Sequence, residues 1–421
     1  MALIPEYVKQ RPGFAAFGYR EYRLFWVAAA FSNVGMWTLT AGRLWLMHEL
    51  TDSPVALGLV TLSSLGPILI FSVWGGVVAD RVNRLKLVMF TRGMFAVTAL
   101  LTGVLVATDL ITPWQLIAIS LVNGFLLSFD IPSRQAMMPA LVGREHLPGA
   151  IAMYSFVTTG SAIMGPIFFA PFVKLAGIEG LFYIIGVSYI ATVGMMSVMK
   201  SKHNASTGES RPILRDLKDG FTYVRRSRIL FGLLIMGFFV GVFGAPYQTL
   251  LPVLVEDVIA GDIDDFGGLL LGSGVGASIG AFAMAWWGRP ERMGQTLLFM
   301  GVAFGAALMT LAWSTSMPIA IIAMTAIGIT GTLHQTARGT IVQMATDNRY
   351  LGRVMSIHQL IWGSSAIGGL IMGALASAVD VQFALGLGGA ICAGAIAIGT
   401  VAIFGRGAFT TSPAAVPTPT D

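Results

Sequence analysis

The chain has 421 residues, 55% of them hydrophobic and only 11% charged, with a mean hydropathy of +0.76. Ordinary soluble proteins carry roughly 25% charged residues, so most of this chain must face lipid or other buried helices. The net charge of +5 and pI near 9.4 would suit nucleic acid, but the basic residues fall in alternate loops and form no patch interleaved with stacking aromatics, so no nucleic-acid partner is expected.

Apolar runs long enough to cross a bilayer, which takes about 20 residues, lie near 24–46, 56–78, 87–108, 113–131, 149–173, 178–199, 229–254, 266–287, 294–313, 317–337, 353–378 and 381–404. They predict an all-α integral membrane protein of about 12 transmembrane helices, with both termini on one side. The first run follows Lys9, Arg11, Arg20 and Arg23 and exceeds a signal-peptide core, so it is read as an uncleaved helix. The 51 glycines and 18 prolines suit close helix packing and broken helices in a membrane bundle. Pro246 and Pro252 predict a break in the seventh run.

A polar linker, 201–228, separates an N-terminal six-helix half (1–200) from a C-terminal one (229–404). Within the linker Leu214, Leu217, Phe221 and Val224 recur at helical spacing, which predicts an amphipathic helix over 212–226 on the inner membrane face. Residues 405–421, with Pro413, Pro417 and Pro419, read as a disordered tail. Loop charges segregate: Arg81, Arg84, Lys86, Arg144, Arg289, Arg292, Arg349 and the Lys200 to Arg228 stretch fall on one side. Glu49, Asp52, Asp109, Glu179, Glu256, Asp257, Asp262, Asp264, Asp265 and Asp380 fall on the other, with Lys174 the only clear loop base there. The basic side, with both termini, is then cytoplasmic.

The halves repeat. Arg134 and Arg338 stand 204 residues apart, and the pairs Gly124 and Gly328, Leu147 and Leu351, and Gly165 and Gly369 keep that offset. This predicts two pseudo-symmetric halves.

Several residues could carry chemistry. Asp130 lies near the end of an apolar run, where carboxylates are costly and often mark proton paths. Arg134, one helical turn on, offers a plain structural ion pair, and both readings stay open. Arg43 either binds an anionic substrate group or snorkels to headgroups. His334 and His358 occupy, at the repeat offset, the places of Asp130 and Tyr154, and either could titrate near neutral pH. Asn33, Trp37, Asn123, Tyr154, Tyr247, Gln248, Gln359 and Trp362 are candidates to line a substrate cavity, each also explicable as packing or interhelical hydrogen bonding. Cys392 is the sole cysteine and the histidines lack a metal-pair spacing, so no metal is expected. No phosphate-cradling G-x-x-x-x-G-K-[ST] loop and no catalytic cluster at membrane depth occur, so neither a cofactor nor an enzyme is expected.

Between the second and third runs stands GGVVADRVNRLK, Gly75 to Lys86, a tight charged link that forces an antiparallel hairpin. Gly75 and Gly76 would let a neighbouring helix approach closely. The pattern G-x-x-x-D-R-x-x-R, with Gly76, Asp80, Arg81 and Arg84, resembles the loop signature of the major facilitator superfamily, and in the same place. The second copy, WGRPER at Trp287 to Arg292, keeps Arg289 and Arg292 but no aspartate. SNVGMW (Ser32 to Trp37), WLMHELTDSPVALGLV (Trp45 to Val60), FDIPSRQAMMPALV (Phe129 to Val142) and IMGP (Ile163 to Pro166) resemble the branch holding enterobactin-type siderophore exporters and transmembrane secretion effectors.

The resemblance implies a bacterial inner-membrane carrier in which two halves rock about one central site. Its implied task is proton-driven export of a small amphiphilic or aromatic compound of drug, siderophore or macrolide type, with protons as coupling ion. A monomer is expected. The resemblance also implies a conformational latch in which Asp80 meets the start of helix 11 near Arg353, with Arg134 as a second partner. One departure counts against export: drug–proton antiporters often continue the helix-5 motif with glycines, whereas Gly160, Gly165 and Pro166 are followed here by Ile167, Phe168 and Phe169. Import or lipid flipping by the same fold, and a receptor or scaffold without turnover, are the alternatives.

Overall fold

The computed structural model describes residues 15–200, 213–287, 292–347 and 350–404. A short 3-10 turn (Ala15–Gly18) leads into α1 (Arg20–Thr51), α2 (Pro54–Arg81), α3 (Arg84–Ala107) and α4 (Pro113–Leu141). The next helical stretch, Leu147–Ser197, is interrupted at Gly177, whose φ of 73° and ψ of 175° are non-helical. It therefore divides into α5 (147–176) and α6 (178–197). The short α7 (Ile213–Arg226) precedes α8 (Arg228–Phe239) and α9 (Tyr247–Val253), which share one interrupted span, Arg228–Ile259. Then come α10 (Ile263–Trp287), α11 (Met293–Ala312), α12 (Met317–Met344), α13 (Leu351–Ala378) and α14 (Val381–Phe404). Setting the linker helix α7 aside and counting α8 and α9 as one gives twelve long helical segments among the described residues, with no strand among them. Lys9, Arg11, residues 201–212, Arg289, Arg349 and the tail 405–421 lie outside the described residues.

In hydrocarbon every backbone N–H and C=O must be satisfied within the segment, which is why these apolar runs become helices. Polar residues at the junctions end them. The Asn83 side chain caps α3 by accepting from Lys86 N at 3.2 Å. Thr112 and Gln115 form a reciprocal capping box at the start of α4, with Pro113 in the first turn, where its missing N–H costs nothing.

The helices gather into two compact units. The first holds the described part of Met1–Leu46 and of Ile70–Gly208, the second Met47–Leu69 and the described part of Glu209–Asp421. In the first unit α3 packs along α4 and along the 147–197 stretch, over a core that includes Phe25, Ala28, Val88, Met137 and Tyr154. Two glycines set its close contacts. A Cβ on Gly75 would strike the carbonyl oxygen of Ser128, so α2 and α4 touch backbone to backbone there. A Cβ on Gly165 would crowd Trp37 and the Val34 carbonyl of α1, and Thr38 Oγ1 donates to the Gly165 carbonyl at 2.8 Å. Gly76, by contrast, faces open space, as does Gly160. The expected close approach at the hairpin is thus made by one glycine of the pair, because the two point in different directions around α2.

In the second unit α10 lies along α12, and α11 lies along α12 and α14. The break expected in the seventh run is present: a π-turn over Val240–Gly244 ends α8, and Ala245 N donates to Val240 O at 2.9 Å before Pro246. Pro252, however, sits inside α9, which is followed by a second π-turn over Leu254–Ile259. The linker helix α7 docks on this unit. Val224 is buried with Leu230, Leu233 and Val354, and the Tyr223 ring stacks on Tyr350 with centroids 4.3 Å apart. Phe221, on its other side, is exposed.

Substituting Gly75 by valine should cost roughly 1–3 kcal/mol through overpacking, seen as a lower melting temperature in detergent, while Gly76→Ala should leave that temperature unchanged. Equal tolerance at both positions would contradict the backbone contact between α2 and α4.

Candidate functional site

The first unit is built around one carboxylate. Asp130, in α4, is fully buried, yet it is ionisable and sits at membrane depth. Arg92 of α3 reaches its Oδ2 with Nη2 at 2.7 Å, and Thr91 Oγ1 donates to its Oδ1 at 2.9 Å. Arg134, one turn along α4, places Nε 2.8 Å from the same Oδ2 as a close ion pair. Nη1 of Arg134 then donates to Tyr154 OH at 2.8 Å and to Asn33 Oδ1 at 3.2 Å. Helices α1, α3, α4 and α5 thus converge on one network. Two guanidinium groups face one carboxylate, so the cluster keeps a net positive charge. The Arg92 guanidinium also lies 5.7 Å from the ring centroids of both Phe95 and Tyr189, which stack on each other.

The structural ion pair expected for Asp130 is present, and it is larger than the sequence suggested. Arg92 was not anticipated, although a lone arginine within the apolar run 87–108, at its sixth residue, is a visible signal. Arg43 is 6% exposed and donates from Nη1 to Ser120 Oγ at 3.4 Å. It lies inside the unit and does not run out along its surface toward headgroups.

Several cavity candidates are engaged within this unit. Asn33 and Tyr154 belong to the Arg134 network, and Asn33 also donates to the Ala29 carbonyl at 2.8 Å. Asn123 accepts from Thr98 at 2.8 Å and so ties α3 to α4. Trp37 packs on Gly165. At the hairpin Arg81 is exposed, while Arg84 donates to the Ala79 carbonyl at 3.1 Å and the Ala136 carbonyl at 2.8 Å, stapling the link to the end of α4. The side chains of Asp80 and Pro166 lie outside the described residues.

In the second unit Tyr247 is buried and accepts from the exposed Gln248 at 3.3 Å. The side chains of Gln359 and Trp362 lie outside the described residues. Arg353 stands 4.0 Å from Asp219 of α7 and lies over the Tyr350 ring at 5.6 Å. His334 is buried, with Nδ1 3.1 Å from the Leu297 carbonyl, and both His334 and His358 are near enough to Arg338 for electrostatic interaction.

One grouping was not foreseen. His48, near the end of α1, sits 2.7 Å from Glu256, and with Asp52 the three offer ligand-type atoms within 4.8 Å of one another. No carboxylate–histidine cluster was expected, because His48 and Glu256 are far apart in the chain. The histidine is buried and the acids are exposed, which suits an ion pair joining α1 to the turn after α9.

Apolar helices of membrane-crossing length that bury paired charges suit a multi-pass membrane protein. Over residues 11–413 the chain matches the family described as transmembrane secretion effector, and it belongs to that family. It is 28% identical over 350 residues to a staphyloferrin A transporter of Staphylococcus aureus, covering 80% of this chain and 85% of that one. It is 23% identical over 336 residues to an enterobactin exporter of Shigella boydii serotype 18, covering 78% and 79%. Its fold matches the crystal structure of a nucleoside transporter (D323A mutant) with a TM-score of 0.72 at 13% identity, covering 91% of this chain and all of that one.

Asp130→Asn should cost about 3–5 kcal/mol, because it leaves Arg92 and Arg134 buried without their counter-charge. Tyr154→Phe should cost about 1.5–3 kcal/mol, the net worth of one hydrogen bond to a charged group. Thermal unfolding of the two variants in detergent would measure both, and an unchanged Asp130→Asn variant would show that the network is not holding the unit together.

Proposed function

We propose that this transporter exports a small amphiphilic or aromatic compound across the bacterial cytoplasmic membrane, by alternating access and in exchange for protons. Both termini are on the cytoplasmic side in this reading, as the segregation of loop charge favours. The observation that carries it is the Asp130 network. The carboxylate's charge contacts come from α3 and α4, and through Arg134 the network reaches α1 and α5, so a movement of α3 against α4 changes the charge contacts of a carboxylate held away from water. Intramembrane carboxylates in such positions are the usual handles for ion coupling. His334 and His358 are the other candidates for the proton path. The outward direction follows the enterobactin exporter relative.

Everted vesicles holding the full chain, acidified inside and carrying an interior pH dye, would test this with enterobactin, erythromycin and ethidium. Uptake of one compound with a matching rise in interior pH is expected. Asp130→Asn should abolish the pH signal yet keep substrate counterflow, which needs no gradient. Absence of counterflow across the panel would sink transport of these compounds, and counterflow without a pH signal in the parent would sink proton coupling. A signal that survives Asp130→Asn would return Asp130 to a structural role.

A further inference from the structure

The second unit contains an altered copy of the Arg134 setting. Arg134 meets Asp130 in its own helix, Asn33 in α1 and Tyr154 in α5. Shifted by the 204-residue repeat, these four positions hold Arg338, His334, Gly237 and His358. The structure brings the four together again. Arg338 and His334 lie one turn apart in α12, 6% and 2% exposed. A Cβ on Gly237 of α8 would stand 2.5 Å from Arg338 Nη1, and both histidines interact electrostatically with the guanidinium.

The cradle is kept while each acceptor that serves Arg134 has been replaced. The carboxylate has become an imidazole, the amide has been removed, and the phenol has become an imidazole. Among the described residues Arg338 accordingly makes no ion pair, and its Nε and Nη1 meet no hydrogen-bond partner. The Nε2 atoms of His334 and His358 have none either. A guanidinium this far from water is costly unless an anion meets it, and in the first unit Asp130 does so.

We propose that in the second unit the transported compound supplies the anion: Arg338, flanked by His334 and His358, binds an acidic oxygen group of carboxylate type. The planar fork of arginine matches two carboxylate oxygens at once, and Gly237, having no side chain, lets the guanidinium lie directly against α8. Leu297 O can only accept, so the proton of a neutral His334 sits on Nδ1 and Nε2 is left as an acceptor. A ligand carrying a hydroxyl beside its acid group would meet both needs. This inference rests on the transporter reading and narrows its substrate to anions.

The full chain in phosphatidylcholine nanodiscs provides the test, with citrate as the anionic probe and triethyl citrate as its uncharged counterpart. Citrate should raise the unfolding temperature of the parent, and the ester should not. Arg338→Gln should weaken citrate binding at least about tenfold, with Arg338→Lys in between. Without ligand, Arg338→Gln should unfold at a higher temperature than the parent, since it sheds an unneutralised buried charge; an arginine serving only the fold would do the opposite. An equal response to the ester, an undiminished response in Arg338→Gln, or no response to citrate in the parent would overturn the inference. So would stabilisation by phosphatidylglycerol nanodiscs in place of citrate, which would assign the arginine to a lipid headgroup. Counterflow by Arg338→Gln at unchanged affinity would remove this site and leave transport standing, whereas citrate binding without counterflow in the parent would do the reverse.

Discussion

A carboxylate removed from water must be surrounded by groups that replace its hydration, and at Asp130 that requirement organises a whole unit. Arg92, Arg134 and Thr91 supply the replacement, and Arg134 in turn demands Asn33 and Tyr154. Helices in lipid gain little from burying apolar surface against each other, since the tails are as apolar as leucine. What selects one arrangement from many is polar contact and close approach of small residues. The network does the first, and Gly75 and Gly165 do the second by letting α2 meet α4 and α5 meet α1.

The second unit relies on the other device more heavily. Gly58 packs on the backbone at Gly369 and Leu370, Gly305 meets the Gly389 carbonyl and Ala393, and Gly368 meets the Val242 carbonyl beside Pro246. The span from Arg228 to Ile259 carries two π-turns and a proline turn, so its backbone is less regular than that of its counterpart α1. The asymmetry between the halves is therefore one of chemistry as well as shape. One half sets its own aspartate against Arg92 and Arg134, whereas the other places histidines and a glycine around an arginine and, among the described residues, supplies it no counter-charge.

The linker shows how an exposed element joins this frame. α7 turns Val224 and the Tyr223 ring inward against the second unit and keeps Asp219 within reach of Arg353. Arg353 thereby has an acidic neighbour in the linker, which the hairpin motif did not suggest.

Length and composition by themselves determined most of the architecture. Apolar runs of membrane-crossing length must be helices, because lipid offers the backbone no other partner. The Gly76 to Arg84 motif marked the superfamily, Pro246 marked the break, and the 204-residue offset between Arg134 and Arg338 marked the repeat. The presence of α7 was also legible from the helical spacing of Leu214, Leu217, Phe221 and Val224, but not its packed face, since Val224 is buried and Phe221 is exposed. Rotation of the membrane helices about their own axes was not legible. These helices are apolar on nearly every side, so no stripe announces which face meets a neighbour. For that reason only the tertiary structure decided that Arg92 meets Asp130, that Arg43 points inward, that Gly75 and not Gly76 carries the contact, and that His48 finds Glu256.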